Sequence, residues 1–83
     1  MDRILAEAAI TSFLGQMRHR LRQATALADA AEACASGGNV EKAVEVALDI
    51  EQLSYEAMQL LNSASLLNRL SRDDCRKASR SPD

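Results

Sequence analysis

The residues best suited to covalent chemistry lie together: Arg18-His19-Arg20-Leu21-Arg22-Gln23 holds the chain's single histidine among three arginines and no acid. An imidazole titrates close to neutrality, and its unprotonated nitrogen is a nucleophile that can accept a phosphoryl group if it is exposed. Cations beside it would offset the charge that such a group brings. The competing reading is a solvated histidine on a charged helix face, the commoner fate of such a residue. His19 is thus the candidate acceptor, Arg18, Arg20 and Arg22 are candidate charge stabilisers or partner contacts, and Gln23 is a polar neighbour one turn on. No metal and no cofactor is expected, since Cys34 and Cys75 lie far apart and neither belongs to a Cys-x-x-Cys pair.

Exposure of His19 depends on the element that carries it. From Ile4 to Ala35 there is no Pro and Gly15 is the only Gly, while Ala, Leu, Gln, Glu and Arg dominate, so the segment is predicted to be one helix. Ile10, Leu14, Met17, Leu21, Ala24, Ala28, Ala31 and Ala35 form a stripe repeating every 3.5 residues, with Phe13, Leu27 and Cys34 beside it. His19 stands two residues from both Met17 and Leu21, almost opposite that stripe. The stripe is bulky in its first half and all Ala in its second, which predicts tight helix packing near the turn and a thicker core further away.

Ser36-Gly37-Gly38-Asn39 then stops one helix and starts another, with a glycine for the left-handed cap and Asn39 as the next N-cap. So short a connection forces an antiparallel hairpin. The predicted bounds are about 3–36 for the first helix, 36–39 for the turn and 40–71 for the second helix, each roughly 45 Å long at 1.5 Å per residue. The second seam is Ala43, Val46, Ile50, Leu53, Ala57, Leu60, Ala64 and Leu67. Val44, Ala47, Leu48, Met58, Leu61, Leu66 and Leu70 fall outside it, more apolar surface than one neighbouring helix can cover. The expectation is an all-α protein whose hairpins dimerise into a four-helix bundle, or dock on a different helical protein, with Met58, Leu61 and Leu66 at the contact. Residues 73–83 are expected to form a disordered tail.

Composition narrows the classes further. Eighty-three residues make one domain, and fifteen of the apolar residues are Ala, so the chain is expected to need a partner. Two aromatics and no Trp argue against stacking on bases. Net charge is −2, but residues 23–56 carry seven acids against Lys42 alone, while residues 18–22 and the segment from Ala57 onward are basic. That split disfavours nucleic acid and acidic membrane as partners, and Glu51 and Glu56 fall close enough in an antiparallel hairpin to neutralise part of the arginine cluster. The start of the chain carries acids where a secretory signal would be basic, and no run reaches the roughly 20 apolar residues of a membrane span, so a cytoplasmic location is expected.

Phe13-Leu14, Met17, His19, Leu21 and Arg22 resemble the phospho-acceptor box of the dimerisation and histidine-phosphotransfer domain of sensor histidine kinases. Leu66-Leu67-Asn68-Arg69-Leu70-Ser71-Arg72 is similar to the close of that domain's second helix, so the resemblance spans about residues 13–72. It implies a dimeric helical hairpin whose histidine exchanges phosphoryl with a response-regulator receiver domain or a kinase, with Gln23 matching an amide that acts in dephosphorylation in some subfamilies. Arg20 departs from the pattern, since the family usually has an acid there as general base and an arginine cannot take a proton. These 83 residues contain no Gly-rich nucleotide loop, so the expectation is a relay or docking module without ATP binding. The alternative is an inert adaptor, chaperone or inhibitor that binds through its surplus apolar face.

Overall fold

The computed structural model describes residues 2–79, with side chains through Asp73. It is an antiparallel hairpin of two α-helices, α1 over Arg3–Ser36 and α2 over Val40–Ser79. Helix α1 begins where Asp2 caps it: the Asp2 carboxylate accepts from the Ile4 amide at 2.8 Å, and the Asp2 carbonyl accepts the Ala6 amide at 2.9 Å. Arg3 and Glu7, one turn apart, add an exposed ion pair at 3.3 Å.

The turn is a Schellman cap. The Asn39 amide donates to the Cys34 carbonyl at 2.9 Å and the Gly38 amide to that of Ala35 at 3.0 Å, which satisfies two carbonyls that the helix end would leave unpaired. Gly38 takes the left-handed conformation this requires, φ 92°, whereas Gly37 caps α1 at φ −80°. Asn39 then opens α2, its side-chain oxygen accepting from the Lys42 amide at 3.0 Å.

Helix α2 runs to Ser79, past the end near residue 71 that its apolar pattern predicts. Arg72 to Ser79 contain neither Gly nor Pro, so the backbone continues helical after the burial pattern has stopped. The expected tail over residues 73–83 is corrected accordingly for 73–79; residues 80–83 lie outside those described. Helices of 34 and 40 residues also make a longer rod than expected, 71 × 15 × 13 Å. Its radius of gyration is 19.3 Å, against about 12 Å for a compact chain of this length.

The seam of α2 is the predicted one: Ala43, Ala57 and Ala64 are buried, and Val46, Ile50, Leu53, Leu60 and Leu67 are half-buried. In α1, half of the predicted seam is displaced by one residue. Ala6, Ile10, Phe13, Met17, Arg20, Ala24, Leu27, Ala31 and Cys34 face α2, again in steps of four and three. Leu14, Leu21, Ala28 and Ala35 are exposed beside them. The stripe through Leu14 and Leu21 is apolar throughout but continues only as Ala28 and Ala35, whereas the seam taken holds Phe13 and Leu27 besides Arg20, whose charge Glu56 meets across it. Leu27 and Cys34, predicted beside the α1 stripe, stand in it, so the turn half of that stripe is not all Ala. Among the described residues only Ala6, Ala43, Ala57 and Ala64 are buried, and no bulky side chain is enclosed.

Candidate functional site

The Nε of Arg20 lies 2.9 Å from Oε1 of Glu56, joining the middle of α1 to the middle of α2. The Nε–H is shielded from solvent yet is not aimed at that oxygen, so attraction between net charges holds the pair. The other carboxylate oxygen of Glu56 accepts from the Gln52 amide at 3.0 Å, one turn away on α2. Arg20 can take a seam position because its aliphatic stem spans the apolar contact while its head stays at the edge.

This pair separates the three arginines that stand together in the sequence. Successive residues on a helix are about 100° apart, so with Arg20 turned into the seam, His19 lies outward on the same flank and Arg18 is carried round toward the other. His19, Arg18, Arg22 and Gln23 are all exposed. Arg22 and Gln23, three and four residues after His19, share its surface at roughly 60° and 40° around the helix. The structure therefore groups His19 with Arg22 and Gln23, sets Arg18 at the edge of another surface, and commits Arg20 to Glu56.

Two further neighbours of the histidine are absent from the set that sequence reasoning selects. Helical side chains lean toward the N-terminus, so the imidazole is carried over the turn containing Gly15 and Gln16. A Cβ placed on Gly15 would meet nothing within 4 Å, so the glycine has no packing reason inside its hairpin. Gln16 is held back by a 3.2 Å hydrogen bond to the hydroxyl of Ser12. The approach to the ring from its N-terminal side is open. A glycine in mid-helix, which costs roughly 0.5–1 kcal/mol, is the signal that could have drawn attention to that side.

The apolar candidates form a second surface. Leu14 (40% exposed) and Leu21 (46%) flank the seam on α1, and Met58 (58%) and Leu61 (49%) flank it on α2. The register carried from the Arg20–Glu56 pair sets these four at similar heights near mid-rod, on the flank away from that pair. An open trough lined by Ala47, Ile50, Glu51, Ser54, Tyr55 and Met58 continues the surface toward the turn. Each such residue left half in water forgoes on the order of 1 kcal/mol of burial. Leu66, grouped with them from sequence, is exposed but lies roughly 140° round α2 from Leu61 and belongs to a different surface.

No protein-family model, curated protein or solved structure matches the chain. Fold and site together define a class, an antiparallel helical hairpin with one exposed histidine on its polar side and an apolar strip on the opposite flank. No helix of the described residues is long and apolar enough to cross a membrane.

Proposed function

We propose that this chain is a small docking module of two-component-type signalling that exchanges a phosphoryl group through His19 with a response-regulator receiver domain or a kinase. The observation that carries the reading is the exposure of His19 at the middle of α1, with Arg22 and Gln23 on the same surface and the ring's N-terminal side open over Gly15. In the exchange, an imidazole nitrogen of His19 attacks the phosphorus of an aspartyl phosphate. The new N–P bond replaces the acyl O–P bond, the carboxylate leaves, and the ring releases a proton to water. Arg22 offsets the added charge, while Arg20, at the position of the family's acid, is engaged with Glu56 and takes no proton.

Incubation with a receiver domain carrying labelled phosphoryl tests this reading. Label is expected on the wild-type chain in acid-labile, base-stable form, and none on His19→Ala. Equal labelling of the variant overturns the reading.

A second reading is favoured by Met58 and Leu61, whose exposure is what a protein-binding adaptor of no catalytic function would show. Under it, His19→Ala leaves partner binding intact and Leu61→Glu abolishes it.

A further inference from the structure

We propose that a second copy of this chain covers the flank bearing Leu14, Leu21, Met58 and Leu61, and that it lies antiparallel, with the turn of each hairpin against the open end of the other. The proposal is independent of phosphoryl exchange at His19, which faces the other side of the rod.

The first support is the pattern of apolar positions. Each helix carries two positions per seven residues in the seam; α1 adds a third apolar position beside them at Leu14, Leu21, Ala28 and Ala35, and α2 adds one at Ala47 and Leu61, alternating with Ser54 and Asn68. Two positions in seven suffice for a pair of helices, whereas three in seven is the stripe of a helix with two neighbours, as in a four-helix bundle. Dimension agrees. The two-helix part of the rod, as long as the 34 residues of α1 or about 51 Å, and 15 Å wide, projects about 770 Å², against about 800 Å² per partner in stable complexes.

Charge then decides the orientation. Residues 24–53, the turn half of the rod, hold six acids against Lys42 alone, a net −5; since the chain totals −2, the remainder is +3. On the rim of the apolar flank Glu51 and Glu32 stand on the turn side and Arg72 on the open side, all exposed, while Glu7 of the open side is paired with Arg3 and Arg18 sits at mid-rod. A parallel pair would set acid beside acid along half its length; an antiparallel pair sets each acidic half against a basic one. An isologous contact of this kind closes on itself and stops at two copies.

The test uses the full chain. Sedimentation equilibrium at tens of micromolar is expected to return a species of twice the 9.0 kDa chain mass, and Met58→Glu with Leu61→Glu is expected to return monomer with unchanged helical circular dichroism. Monomeric wild type, an assembly larger than two, or a double variant that stays dimeric overturns the proposal. Orientation is read by spin labels on Ser36→Cys in a Cys34→Ala, Cys75→Ala background. Labels at the two turns should lie tens of ångströms apart, approaching the 71 Å rod length. A short label separation, with the turns side by side, overturns the antiparallel arrangement.

Discussion

Arg20 and Glu56 meet across the hairpin at 2.9 Å, each still about a third exposed. Partly solvated pairs of this kind are worth on the order of 0.5 kcal/mol, so the contact adds little stability of its own. Replacing Arg20 by Leu fills a seam position with a side chain suited to it. We expect Arg20→Leu to hold or raise stability by up to about 1 kcal/mol in urea unfolding, because an apolar side chain at a half-buried seam position replaces a weak, partly solvated ion pair. A loss of more than about 1 kcal/mol would mean that the pair stabilises the hairpin directly.

The two glycines of the turn make opposite demands. Gly38 is left-handed at φ 92°, so Gly38→Ala should cost about 1 kcal/mol. Gly37 has an ordinary φ, and an added Cβ would lie 3.4 Å from the Ala33 carbonyl oxygen, an ordinary contact. Gly37→Ala should therefore change stability by no more than about 0.5 kcal/mol. Thermal unfolding of the two variants at one protein concentration checks the contrast, and equal losses would refute it.

Gly15→Ala separates stability from binding. The new methyl meets nothing within 4 Å, so the hairpin should gain roughly 0.5–1 kcal/mol from helix propensity. If a partner reaches the ring of His19 over Gly15, the same variant should slow phosphoryl exchange while it stabilises the fold. Stability is read by chemical denaturation and exchange by the rate of label transfer, and unchanged transfer would show that the partner approaches from elsewhere.

Arg22 and Gln23 differ in which stage of the exchange each should affect. Arg22→Ala should lower the yield of phosphohistidine several-fold, since the cation nearest the ring on its own surface is lost. Gln23→Ala should leave the yield and alter the lifetime of the phosphorylated state, if the amide orients water. The label present when the donor is removed gives the yield, and its decay thereafter gives the lifetime.

The backbone is largely legible in the sequence, because the paired glycines and Asn39 mark the turn by chemistry that is local, while the Asp2 cap of α1 emerges only from the structure. The seam of α1 is legible only in part. Ile10, Met17, Ala24 and Ala31 fall in it as periodicity predicts, while Phe13, Arg20, Leu27 and Cys34 are predicted beside it or outside it, because a charged residue in the stripe looks like an interruption. The reach of its own stem and the position of Glu56 on the facing helix together make Arg20 admissible there, and a helix's own periodicity carries no information about its neighbour. The same limit applies to α2, where Leu66 resembles Met58 and Leu61 in type but not in direction. The helical stretch to Ser79 escapes prediction because an apolar pattern reports burial, and a helix can outlast it.

His19 sits near the midpoint of a 34-residue helix, many turns from either end. Fraying starts at helix termini and decays inward, so the backbone beneath the imidazole should open only when the hairpin as a whole comes apart, and its amide should be among the slowest in α1 to exchange with deuterium. A loop-borne nucleophile can travel to meet its target; this one is mounted on a stiff rail with only its two side-chain torsions free. Whatever reacts with it must bring the mobility to the encounter.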